Sequence, residues 1–106
     1  MTSRSQTTTI PGWIENEHAG QMLVADFLEP EALSVAQLAE KIGVTPERIA
    51  SVIDGARPMD AELDLRLGRY FGMSEGFFLR LQDQYELLEA KRALNGDLDR
   101  IVPRAA

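Results

Sequence analysis

The sequence predicts an all-α domain of five helices that ends in a long C-terminal helix, and three observations predict it. Residues 33–55, LSVAQLAEKIGVTPERIASVIDG, encode two short helices joined by a tight turn. The segments before and after this stretch place apolar side chains at helical spacing. Capping residues, glycines and a proline punctuate the chain where each helix should begin or stop.

Residues 1–17 are polar, Thr/Ser-rich and broken by Pro11-Gly12, so they read as an N-terminal arm. Trp13 and Ile14 are its apolar exception, a pair suited to folding back onto the domain or to adding to a partner. A first helix is predicted from Gly20 to Leu28, with Met22, Leu23, Phe27 and Leu28 facing inward. It ends before Pro30, because the residue preceding a proline avoids helical backbone. The helix-turn-helix follows over 34–54, inside a domain predicted to span 18–96. Ser34 with Gln37 forms a capping box, and Val35, Leu38, Ala39 and Ile42 fall at i, i+3, i+4 and i+7. Gly43 allows the positive φ of a helix end, and Val44 beside it plugs the angle between the two helices. Thr45 caps the second helix, Pro46 occupies its first position, and Glu47 complements the positive end of its dipole. Ile49, Val52 and Ile53 anchor it inward, which leaves Pro46, Glu47, Arg48, Ala50 and Ser51 outward.

Asp60 caps a fourth helix running to Phe71 and stopped by Gly72. Its apolar residues form two seams, Ala61, Leu65, Gly68, Phe71 and Leu63, Leu67, Tyr70, so packing on two sides is predicted. Asp64 lies on the first seam and is placed at its edge or beside an arginine, since an unpaired buried carboxylate is costly. Ser74 and Glu75 open a last helix that reaches Asn95-Gly96. Phe77, Phe78, Leu81, Tyr85 and Leu88 form its main stripe. Leu87, Ala90 and Leu94 form an offset stripe that so small a core does not need, a surplus pointing to a partner or a second copy. Residues 97–106 read as a short frayed tail.

At 106 residues the chain suits one domain, and without cysteine it forms no disulfide, zinc finger or thiol nucleophile. No apolar run approaches the length of a signal peptide or of the ~20 residues of a membrane span, so a cytoplasmic protein with no membrane association is expected. The 17 acidic and 11 basic residues give a net charge of −6, unusual for a DNA binder. A local basic face remains compatible with it, because the field of an exposed charge decays within ~8 Å at cellular salt.

The outward face of the second motif helix is where a recognition helix carries base-reading side chains. Arg48 is the first candidate, because arginine pairs bidentately with guanine. The same side chain is suited to a salt bridge with a neighbouring acid. Ser51 sits one turn on, as a base or phosphate contact or as a solvated position. Glu47 either accepts from cytosine or only complements the helix dipole, and Pro46 lies beside it. Thr45 and Ser34, at the helix starts, suit phosphate contacts, and Arg57 and Lys41 are electrostatic candidates. His18 is the single histidine, without metal-ligand spacing, and borders the first helix. No nucleophile, phosphate loop or carboxylate cleft is present, so neither an enzyme nor a cofactor is expected.

From His18 to about Leu94 the chain resembles the HigA antitoxin family, plasmid-maintenance antidote proteins of the Xre, lambda-repressor-like helix-turn-helix type. The flanks HAGQMLVADFLEP and GRYFGMSEGFFLRLQDQYEL carry the resemblance beyond the motif itself. It implies a dimerising five-helix repressor of its own operon. It also implies double-stranded operator DNA and a small basic RelE-like, mRNA-cleaving toxin as partners. Val35 stands where the family commonly has Gln, Asp54-Gly55-Ala56-Arg57 where Asn-Gly-Lys-Arg is usual, and Asp64 where Ala is usual. Each change removes a phosphate contact or shifts the charge towards negative. Two other readings stay open: an Xre-type regulator without a toxin, and a protein-binding module whose DNA affinity has weakened.

Overall fold

A computed structural model describes residues 16–105, and its described residues contain helices and no strand. Helix α1, Ala19–Leu23, runs directly into a π-helical turn, Val24–Leu28. Then come α2, Val35–Ile42, and α3, Pro46–Ile53. Helix α4, Ala61–Phe71, and the long α5, Phe77–Leu94, complete the five, and a 3-10 turn follows at Asp97–Arg100. Trp13 and Ile14 lie outside the described residues. The Asn16 amide donates to the Tyr85 carbonyl at 3.0 Å and to Glu89 Oε2 at 2.9 Å, fastening the segment before α1 to α5.

The first helix starts one residue earlier than predicted because His18 caps it. Its Nδ1 accepts the N–H groups of Gly20 and Gln21, and Gln21 Oε1 accepts the His18 N–H in return. This is a capping box built on histidine instead of serine. The His18 ring also stands edge-on to Tyr85 at 5.6 Å. The second half of the helix widens, and the Glu29 N–H reaches back five residues to the Val24 carbonyl at 2.9 Å. Leu23 and Leu28 are buried, and half-buried Phe27 lies 4.9 Å from Phe71 and 5.2 Å from Phe78 between ring centroids.

The core gathers from every helix: Leu23 and Leu28, then Leu38, Ala39 and Ile42 of α2, Ile49 and Val52 of α3, Leu63 and Leu67 of α4, and Phe78 of α5. Met59, in the α3–α4 connection, is buried with them. Each large side chain fully withdrawn from water contributes about 1.5–3 kcal/mol, so the apolar spacing read from sequence is the main source of stability.

Two expectations for α4 and α5 are corrected. Helix α4 packs on one side only: Leu63, Asp64, Leu67 and Gly68 are buried, whereas Ala61, Leu65 and Tyr70 are exposed. Asp64 is neither at an edge nor beside an arginine. It is 1 % exposed, and its carboxylate accepts three backbone N–H groups, from Gly76 and Phe78 at 2.7 Å and from Leu79 at 3.1 Å. A carboxylate from another helix thus does the work of an N-cap. Accordingly α5 begins at Phe77 and not at Ser74, after Gly76 turns the chain with φ 88° and offers no side-chain cap of its own.

The predicted end of α5 holds, with Asn95 closing the helix at φ 46°. The tail is ordered into a 3-10 turn at its start, not frayed throughout. The offset stripe is exposed as its surplus suggested, with Leu87 at 61 % and Leu94 at 38 %, and Leu98, Ile101 and Val102 after the helix are exposed too.

Candidate nucleic-acid interface

The helix-turn-helix is built as its residues dictate. Ser34 Oγ accepts the Gln37 N–H at 3.0 Å while Gln37 Oε1 accepts the Ser34 N–H at 2.9 Å, so both partners of the capping box are engaged. Gly43 adopts φ 75° at the turn, a left-handed conformation open to glycine without penalty, and its N–H closes on the Ala39 carbonyl. Thr45 Oγ1 then accepts the Arg48 N–H at 3.2 Å and starts α3. Ile49 and Val52 point into the core, which fixes the rotation of α3 about its axis.

That rotation divides the candidate residues. Ser34, Thr45, Pro46 and Glu47 are exposed at the starts of the two helices, with the side chains of Ser34 and Thr45 already acting as caps. Arg48, Ala50 and Ser51 are half-buried and not fully outward as predicted. The Ser51 hydroxyl donates to the Arg48 carbonyl at 2.9 Å, a bond that turns it inward along its own helix.

Arg48 is the residue whose surroundings change its reading most. Its Nη2 lies 2.9 Å from both carboxylate oxygens of Asp60 and 3.7 Å from Glu62, and only 22 % of the side chain is exposed. Asp60 also accepts the Leu63 N–H at 2.9 Å as the cap of α4. That backbone bond is the largest influence holding the Asp60 carboxyl below its ordinary value of 3.8. The hydrogen bond and charge of Arg48 and the charge of Arg57 act in the same direction, against a partial push upward from burial. Arg48 and Arg57 are thereby gathered around one carboxylate. Lys41 is not part of that group: its Nζ sits 6.0 Å from the centre of the Tyr70 ring, beside a groove whose lining includes Leu65, Arg66 and Arg69.

The sequence reading missed the Arg48–Asp60 pairing as such, because twelve residues separate the partners and no local spacing brings them together. The available signal was that Asp60 had to stand at the start of α4 as its cap, next to the helix it faces. Among the described residues no group of three or more His, Cys, Asp or Glu side chains is placed to hold a metal ion, and no helix is long and apolar enough to cross a membrane.

Two short helices meeting at a left-handed glycine, the second capped and rotated so that the start of its first turn is exposed, form a helix-turn-helix. No protein-family model matches the chain. Virulence-associated protein I of Dichelobacter nodosus is 36% identical over 75 residues, 71% of this chain and 69% of that protein. A Pseudomonas aeruginosa protein solved in complex with its 18 bp operator DNA is 31% identical, with a TM-score of 0.80 over 87% of this chain and 98% of that one. Pseudomonas aeruginosa antitoxin HigA, solved with the higBA promoter, is 28% identical, with a TM-score of 0.76 over 87% of this chain and 100% of that one. The chain belongs to the HigA family of Xre-type helix-turn-helix antitoxins and regulators, which are not enzymes.

Proposed function

We propose that this chain is the antitoxin of a type II toxin–antitoxin module. It acts as a homodimer that places two copies of α3 in adjacent major grooves of a palindromic operator, with half-sites ~34 Å apart. It represses its own operon and neutralises a small basic, mRNA-cleaving toxin of the RelE-like class, which places it in the cytoplasm. The observation that carries this reading is the α2–α3 geometry with an exposed first turn, on a chain 31% identical to a protein solved on its operator. Pro46 and Glu47 lie along the reading face, Ser51 joins them when its hydroxyl leaves the Arg48 carbonyl, Ser34 and Thr45 meet phosphates from the helix starts, and Arg48, Arg57 and Lys41 supply charge.

A second reading, a protein-binding module with weakened DNA affinity, is favoured by the net charge of −6 and by the capture of Arg48 by Asp60. Fluorescence anisotropy on the chain's own upstream promoter duplex, beside a scrambled duplex, separates the two. Selective binding that weakens with salt supports the repressor. Equal binding to both duplexes at low salt sinks it in favour of a protein partner. Growth rescue on co-expression with the neighbouring reading frame tests the toxin half.

A further inference from the structure

We propose that Asp60 is an intramolecular competitor of DNA for Arg48, holding the guanidinium against the start of α4 until a nucleic-acid acceptor displaces it. This rests on the operator-binding reading above and adds the control of its charge. The Arg48 atom engaged is Nη2, at 2.9 Å from both Asp60 oxygens. Nη2 is the nitrogen common to both bidentate edges of a guanidinium, the end pair with Nη1 and the side pair with Nε. Nη2 carries one N–H for each edge, and a carboxylate with both oxygens 2.9 Å away shares one of them, so while Asp60 holds it one edge is occupied and the guanidinium's charge is matched at the start of α4.

Asp60 is the fixed partner and Arg48 the movable one. The Asp60 carboxylate is tied to the Leu63 N–H at 2.9 Å whether or not Arg48 is present. Arg48 has a long side chain and, among the described residues, its next carboxylate is Glu62 at 3.7 Å, itself drawn to Arg66 at 3.0 Å. The pair is accessible to displacement, with 22% of the Arg48 side chain and 49% of that of Asp60 exposed. An ion pair of such exposure withholds its charge by about fivefold at most. A well-formed bidentate base contact is worth about fivefold or more and so matches or exceeds it. A loose, single phosphate contact does not. Asp60 therefore lowers the affinity of the free protein for DNA without abolishing it.

The experiment is a double-mutant cycle of Asp60→Asn and Arg48→Gln, read by duplex affinity and its salt dependence. Asparagine still caps α4, and a urea melt of each variant checks that the fold is kept. Asp60→Asn alone is expected to tighten binding about three- to fivefold and to steepen the log K against log salt slope by about one phosphate contact. In the Arg48→Gln background the same change is expected to gain less than about twofold, because the charge it would release is gone. An equal gain in both backgrounds overturns the proposal in favour of simple repulsion between Asp60 and phosphate. No gain, or weaker binding, overturns it as well. The operator reading fails separately: Arg48-dependent tightening by Asp60→Asn on both the promoter and the scrambled duplex, without selectivity, keeps the competition and sinks the repressor.

Discussion

Asp64 and Asp60 are both aspartates of one helix start, and their surroundings give them different work. Asp64 is sealed from water and accepts three N–H groups at the start of α5, those of Gly76 just before it and of Phe78 and Leu79 in its first turn. Removing its carboxylate strands these donors, each costing about 1–3 kcal/mol when buried. Asp64→Ala is therefore expected to lose about 3 kcal/mol or more in urea unfolding, with Asp64→Asn intermediate, since an amide group presents one acceptor oxygen instead of two. A loss below about 1 kcal/mol would show that α5 starts without it. Asp60 is half-exposed and its pKa is lowered in the fold. A carboxylate with a depressed pKa contributes stability above its unfolded value and loses it as pH falls through the folded one. Melting temperatures taken from neutral pH down through 3.8 should accordingly fall less steeply for Asp60→Asn than for the parent chain. Identical acid limbs would remove Asp60 from the titration.

At the scale of elements, the helix-turn-helix was legible because its signals are local. Ser34, Gln37, Gly43, Thr45 and Pro46 each act on backbone within four residues, and α2 and α3 begin and end where those residues require. Helix α4 was misread because its apolar positions nearly surround it and spacing does not say which stripe finds a neighbour. The start of α5 was misread because Ser74 resembles a cap, whereas the capping oxygens come from Asp64 through space. Helix α1 illustrates a third kind of information. A Cβ on Gly20 would lie 2.6 Å from the Val52 carbonyl carbon and 2.7 Å from the Ile53 Cα, so α1 and α3 touch backbone to backbone there. Gly20→Ala raises helix propensity yet is expected to destabilise the domain by about 1–3 kcal/mol, because one of the two helices must move. Calorimetry giving an unchanged or higher melting temperature would show that the approach is not tight. If α3 shifts with it, operator affinity falls in the same variant.

For the whole molecule the governing quantity is charge. A net charge of −6 opposes association with DNA, against which stand local gatherings of cations such as Arg48 and Arg57 about Asp60 and Lys41, Arg66 and Arg69 along their groove. With so few cations at the candidate interface, operator binding by a dimer should show a shallow salt slope, between roughly −2 and −4 in log K against log salt. A slope steeper than about −7 would mean that many more phosphates are neutralised than this face provides. The exposed Leu87, Leu94, Leu98, Ile101 and Val102 leave apolar surface on and after α5.

The sequence by itself determined the turn at Gly43, the caps of α2, α3 and α4 and the inward faces of α2 and α3, because caps, glycine conformations and helical periodicity act over a few residues; the family came from the resemblance of the flanking segments. Only the tertiary structure decided which side chains remain available. Arg48 lies with Asp60 twelve positions away, and Asp64 serves backbone amides twelve to fifteen positions away. No spacing rule reaches so far: a side chain's charge is committed by whatever the packed helices bring within hydrogen-bond distance, and that is settled when the core closes.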